Sequence, residues 1–140
     1  VGATCVGQAI RLIAEATAHA RTREQFGEPI GNFQLVQGML ADMQADMLAA
    51  KALCLDVARQ FDNAVQGGTP LPFPDIAASK YFGSEMVCRV ADKAVQIMGG
   101  AGFVEDNAIS RMYRDVRLFR LFEGTSQIQQ QQIAKAMLRG

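Results

Sequence analysis

The stretch Phe122-Glu123-Gly124-Thr125-Ser126-Gln127-Ile128-Gln129 sets a carboxylate directly before a glycine and two hydroxyl residues that open a helical pattern. A helix start offers unpaired amides and the positive end of a dipole, so anionic or polar ligand groups dock there. Glu123 therefore has two readings. It is a proton acceptor aimed at a bound ligand, or it is an acidic residue that merely favours a helix start. The cluster Gly99-Gly100-Ala101-Gly102 also has two: a backbone that a cofactor phosphate can approach, or a plain helix stop. The single His19 has no acid or cysteine at ligand spacing, so no metal site and no His-based triad can be built. Met39, Met43 and Met47 read as plastic core filling. Arg21, Arg23 and Glu24 read as a solvated helix end.

These residues sit in a chain of 140 that is 49% apolar and 20% charged, a composition that suits one globular domain. Its formal net charge is zero, so no basic excess points to nucleic acid or an anionic membrane surface. No apolar run approaches the roughly 20 residues of a membrane span. Val1 to Gly7 lack the basic start of a secretory signal, and the first residue is not Met, which suits a fragment or a processed product. Cys5, Cys54 and Cys88 are widely spaced and odd in number. They read as small buried residues of a reducing compartment.

Helical periodicity supplies the elements. Val6, Ala9, Ile10, Ile13 and Ala16 mark a first helix over about Val1–Glu24, ended by Gly27-Glu28-Pro29-Ile30-Gly31. The second, about Phe33–Val65, carries Val36, Met39, Leu40, Met43, Met47, Ala50, Cys54, Val57, Phe61 and Val65 in register, with Leu48, Leu53 and Leu55 off that stripe. A helix apolar on more than one face needs more than one neighbour, which points to self-association. After a proline-rich link, Asp75 is placed to cap a third helix lined by Phe82, Met86, Val90, Ala94 and Ile97. A short helix follows over about Asn107–Val116. A last one runs from Ser126 to about Leu138, with Ser126 and Gln129 spaced as a capping box. No segment alternates with period two. The expected fold is all-α, an antiparallel up-and-down four-helix bundle with a short additional helix, forming a single domain over residues 1–140.

Several stretches, in order and at domain scale, resemble one family. Glu123-Gly124-Thr125-Ser126-Gln127-Ile128-Gln129 resembles the signature near the end of acyl-CoA dehydrogenases. Arg23-Glu24-Gln25-Phe26-Gly27-Glu28-Pro29-Ile30 resembles the turn between the first two helices of their carboxyl-terminal domain. Gln96-Ile97-Met98-Gly99-Gly100-Ala101-Gly102-Phe103 resembles the glycine-rich end of its third helix. Arg111-Met112-Tyr113-Arg114-Asp115 matches the run before the signature, and Ile133-Ala134-Lys135-Ala136-Met137-Leu138 resembles the usual last helix.

The resemblance implies a carboxyl-terminal domain of a longer flavoenzyme whose amino-terminal helical and middle β domains are absent here. It implies α,β-dehydrogenation of an acyl-CoA thioester to a trans-2-enoyl-CoA, with FAD as cofactor. Glu123 matches the general base, with its own backbone N–H as an oxyanion donor, and Phe122 and Gly124 stand beside it at the substrate. Thr125 and Gln127 match residues at the FAD of the same subunit. Arg23, Gln25, Phe26, Gln34, Gln96 and Gly100, with the adjacent Gly99, match the neighbouring subunit's FAD contacts. A homotetramer or homodimer and an electron-transfer flavoprotein are the implied partners, in bacterial cytoplasm or the mitochondrial matrix. Alone, the chain is expected to be inactive and to hold FAD weakly. An acyl-CoA oxidase or flavin monooxygenase of the same superfamily, or a non-catalytic assembly module, are the alternatives. Two positions depart from the family pattern: Phe122 where Tyr is common, and Gln130 where Arg is common. Some branches carry the base upstream of Val1, and Glu123 favours the later position.

Overall fold

The three long periodic stripes become three rods: α1 (Gly2–Thr22), α2 (Gln34–Gly67) and α3 (Phe73–Met98). The computed structural model describes residues 1–139. A two-residue hairpin, β1 (Glu24–Gln25) and β2 (Glu28–Pro29), joins α1 to α2. Its turn residues Phe26 and Gly27 both have positive φ (56° and 86°), as the tightest right-twisting hairpin turns require. After α3 come α4 (Gly100–Phe103), α5 (Ala108–Arg117) and α6 (Ser126–Arg139).

Cross-helix bonds fix the directions. Arg89 pairs with Asp46 at 3.0 Å and Lys93 with Asp42 at 2.7 Å, so numbering rises along α3 as it falls along α2. Gly2 lies against Ser79, and Gly83 against Gly2 and Cys5. The far end of α1 faces the far end of α3, so these two run parallel. The Cys88 thiol meets the Val116 carbonyl at 3.5 Å, Ser126 reaches Glu85, and the Gln130 amide donates to the Tyr81 hydroxyl at 2.8 Å. Helices α5 and α6 thus run back along α3 in tandem. The result is the expected up-down-up-down bundle, with the short extra helix making half of the fourth strut.

Helix α3 is the shared neighbour, packing on α1, α2, α5 and α6. Leu12, Met43, Met86, Val87, Val90, Ile109 and Val116 are fully buried around it. Burial of each such side chain contributes about 1.5–3 kcal/mol before chain entropy is counted. Met43 and Met47 lie inside, as core filling. Cys5 is buried and Cys54 and Cys88 are partly so, all three as free thiols. Burial pushes the Cys5 thiol up to about 11, which leaves it protonated and unreactive near neutrality.

Several local expectations shift. Ile10 is half exposed, while Leu12 and Cys5 take the inner face of α1. Toward the end of α2, Ala64 is buried, and Phe61 and Val65 face out. Leu48 and Leu55 are half exposed on the second face. Asp75 does not cap α3. The helix begins two residues earlier, with Pro74 in the first turn and no side-chain cap bond, because a proline there lacks only an amide that would be unpaired anyway. The glycine cluster ends α3 and then makes one further helical turn, α4. The α6 start is also capped differently. Thr125, not Ser126, accepts from the Ile128 amide at 3.3 Å, and Ser126 turns to Glu85 instead.

Close approach of α1 and α3 depends on Gly83. An added Cβ there would lie 3.3 Å from the Gly2 Cα and 3.5 Å from the Cys5 Cβ, so only the smallest addition could be absorbed. Gly83→Leu should cost about 1–3 kcal/mol. The expected sign is a lower urea midpoint at unchanged slope; an unchanged midpoint would show that the α1–α3 contact is loose.

Candidate functional site

Between the 3-10 turn Leu118–Arg120 and α6 the chain must reverse beside α3, and it does so through two successive positive-φ residues, Glu123 (54°) and Gly124 (84°). Glycine adopts this region freely, whereas for Glu123 it is an uncommon conformation. Both carbonyls of the turn are tied inward. The Gln129 side-chain amide donates to the Glu123 carbonyl at 2.9 Å, and the Lys80 ammonium donates to the Gly124 carbonyl at 2.6 Å. A Cβ on Gly124 would stand 2.6 Å from the Gln129 Nε2, so a side chain there would push on the amide that holds the Glu123 carbonyl.

A second tie flanks the first. Glu85 on α3 accepts from the Ser126 hydroxyl at 2.7 Å and from Arg120 Nε at 2.8 Å, and Arg120 completes a forked pair at 2.7 Å. Burial disfavours the charged Glu85, but the Ser126 and Arg120 hydrogen bonds and the guanidinium charge outweigh it and hold its carboxyl below the usual carboxylate range. Burial pushes Lys80 down, against the pull of neighbouring acidic groups that include Glu85 and Glu123.

The tethered turn leaves the Glu123 carboxylate without a hydrogen-bond partner among the described residues. It borders a cavity of about 540 Å³ walled by Val1, Gly2, Val57, Phe61, Ile76 and Ser79. Its backbone N–H also donates to no acceptor among the described residues. Glu123 remains exposed, so this chain by itself does not enclose the carboxylate. Phe122 stacks at a tilt on Phe119, ring centroids 5.6 Å apart, at the rim of the turn. Thr125 caps α6, and Gln127 is exposed in its first turn.

The other expected residues gather elsewhere. Arg23, Gln25, Phe26, Gln96, Gly99 and Gly100 line a cradle of about 600 Å³ where the hairpin meets the end of α3, floored by Ile30, Phe33, Val36 and Met39. The Phe26 ring is 94% exposed and meets Phe33 edge-on. Positions above Gly99 and Gly100 are open, with nothing within 4 Å of where a Cβ would stand. His19 also lines the cradle. Burial, then repulsion from Arg23, pushes its imidazole down and favours the neutral form. Gln34 is exposed at the start of α2 and does not line the cradle. From Lys80 to Gln96 is 16 helical positions, or about 24 Å along α3. Gln34 aside, the expected site residues thus form two groups toward opposite ends of one rod.

A larger groove, about 920 Å³, runs between α3 and α5 with Arg89, Lys93, Arg117 and Arg120 on its walls. None of the expected site residues lines it, and three of these four charges are already paired, Arg89 with Asp46, Lys93 with Asp42 and Arg120 with Glu85. No group of three or more potential metal ligands occurs among the described residues, and no described helix is long and apolar enough to cross a membrane.

Lys80, Glu85 and Arg120 carry the turn and were not among the expected site residues. Lys80 had a legible signal. It falls on the inner stripe Ala77, Lys80, Ser84, Val87, Ala91, Ala94, where a lysine is out of place unless its ammonium has an internal partner. The Glu85 tie also titrates. A carboxyl held low when folded adds stability that is present above the usual carboxylate range and is lost as pH falls through its depressed value. Glu85→Gln should therefore cost about 1–3 kcal/mol at neutral pH. In urea titrations the difference from wild type should shrink as pH drops below about 4; a pH-independent difference would contradict the charge-based tie.

Comparison with known proteins identifies the family of the chain. The family model described as acyl-CoA dehydrogenase, C-terminal domain, matches residues 1–138. A caffeyl-CoA reductase–Etf complex subunit from Acetobacterium woodii is 37% identical over 99% of this chain and 35% of its own length. The mitochondrial very long-chain specific acyl-CoA dehydrogenase of Bos taurus is 41% identical over 91% of this chain and 19% of its own. A crystal structure of an acyl-CoA dehydrogenase complexed with FAD, from Bacillus anthracis, superposes with a TM-score of 0.94 at 32% identity, covering 99% of this chain and 26% of that one. The chain thus spans about a third or less of the relatives it matches. It belongs to the acyl-CoA dehydrogenase family, as that family's C-terminal helical domain.

Proposed function

We propose that this chain is the base-bearing and cofactor-bridging part of an FAD-dependent acyl-CoA dehydrogenase that removes hydrogen across the α,β bond of an acyl-CoA thioester. The observation that carries the reading is the Glu123 turn. Its carbonyls are tied to Gln129 and Lys80, so its carboxylate and its N–H are the groups left over at one cavity. A carboxylate takes the α-proton, and a fixed N–H donor lowers the energy of the enolate-like oxygen that results. Glu123 can supply both.

The residues of the cradle suit FAD. Arg23 has no ion-pair partner among the described residues and can meet a pyrophosphate. Phe26 offers a free ring face for a flat aromatic group, and the open backbone at Gly99 and Gly100 admits close approach. When bound, FAD supplies the hydride acceptor. Thr125 and Gln127 would hold it at one end of the bundle, while Arg23, Gln25, Phe26, Gln96, Gly99 and Gly100 would hold the cofactor of a second copy. The half-exposed Leu48 and Leu55 face of α2 suits that association, as a dimer or tetramer. Water is kept from Glu123 by domains outside this chain, so the isolated chain is inactive.

Electron-transfer flavoprotein is the natural partner of such chemistry, and the Acetobacterium relative's own name places it in an Etf complex. That relative is named a reductase and the bovine one a dehydrogenase. A carboxylate that accepts the α-proton in one direction returns it in the other, so one geometry serves both.

In the full-length protein, Glu123→Gln should lower turnover by about 10²–10⁴ or more, with FAD content and assembly near normal. Gln keeps the size and hydrogen-bonding of Glu but not its basicity. Anaerobic mixing with a series of acyl-CoAs reads this directly: rapid flavin bleaching in the Gln variant would remove Glu123 from the role of base.

A further inference from the structure

We propose that Lys80 is a positioning residue for Glu123: its ammonium holds the Gly124 carbonyl and thereby sets the direction in which the neighbouring carboxylate points. The proposal builds on the reading of Glu123 as base, and its test separates the two. Lys80 is 7% exposed on the inner face of α3. Its Nζ lies 2.6 Å from the Gly124 oxygen, and no carboxylate stands within ion-pair distance among the described residues.

A buried ammonium whose near partner is a peptide carbonyl is expensive, and a methionine of similar length would cost less. Stability alone therefore does not account for a lysine here. The turn does. Glu123 and Gly124 are consecutive left-handed residues, and such a turn relaxes readily unless its carbonyls are held. Gln129 holds the first at 2.9 Å and reaches the second only at 3.5 Å, whereas Lys80 holds the second at 2.6 Å. Glu85 acts one step further out, on Arg120 and Ser126, which flank the turn on either side. Lys80 is thus the α3 side chain bonded next to the residue that bears the carboxylate. It is anchored on the most enclosed helix of the bundle, so the turn inherits the rigidity of α3.

The test uses full-length holoenzyme carrying Lys80→Met, with Glu123→Gln as reference. Hydrogen–deuterium exchange is read at the amides of residues 122–126, beside kcat, KM and the melting temperature. The expected result is exchange about tenfold or more faster in that stretch with α1 and α2 unchanged. With it should come a kcat lower by about 10–100-fold at a KM within about threefold of wild type. Wild-type exchange and wild-type kcat in Lys80→Met would overturn the proposal, whatever Glu123→Gln does. A loosened turn together with full turnover in Glu123→Gln would uphold Lys80 as the holder of the turn and remove Glu123 as base. If Lys80→Met does not accumulate as folded protein, Lys80→Gln, shorter and uncharged but polar, is read in the same way, with the same two results deciding.

Discussion

A helix enclosed by its neighbours must satisfy its polar side chains internally, and α3 carries Lys80, Ser84 and Glu85 where it is surrounded by α1, α5 and α6. Ser84 turns back to the Tyr81 carbonyl. Lys80 and Glu85 have no such local outlet and reach across to the segment that joins α5 to α6. That constraint turns what could be a loose connection into a turn held on both flanks. A carboxylate in an uncommon backbone conformation persists only where its surroundings over-determine it. Here two side chains from α3 and one from α6 do so.

The same rod separates two chemistries. Near one end of α3 stands the Glu123 turn, and at the other lies the cradle of Arg23, Phe26, Gln96 and Gly100. About 24 Å of straight helix between them is a distance that small rearrangements cannot close. If both groups act on the same kind of cofactor, the economical arrangement is that each copy gives one end to its own site and the other end to its neighbour's. A two-fold pair built that way has two identical sites, each incomplete without the partner. The half-exposed Leu48 and Leu55 on the outer face of α2 then have a purpose that packing among the described residues does not supply.

Much of the fold was legible because periodicity reports burial. The inner stripes of α2 and α3 ran through Met43, Met47, Met86, Val90 and Ala94, and all five are buried. Errors fell where a stripe drifts or a helix ends. Ile10 and Phe61 lie on the outer edge of their stripes, where one more turn rotates a residue into solvent. Asp75 and Ser126 have good capping chemistry, but proline at the α3 start and the pull of Glu85 on Ser126 decided otherwise. Sequence motifs located the cradle and the turn but could not say that they lie at opposite ends of the bundle. Nor could they single out Glu85 or Arg120, whose importance comes from pairing across 35 positions in the chain.

Mixed oligomers test the division of the site between two copies most directly. Full-length Glu123→Gln and full-length Arg23→Glu, each expected to be nearly inactive by itself, are dissociated, mixed and reassembled. If the base comes from one copy and the cradle from the other, each mixed pair contains one site with both substitutions and one fully intact site. Activity should then return to about a quarter of wild type, since random exchange makes half of the pairs mixed and half of their sites whole. Activity that never rises above the two separate variants would contradict the account and place base and cradle in the service of a cofactor within a single copy.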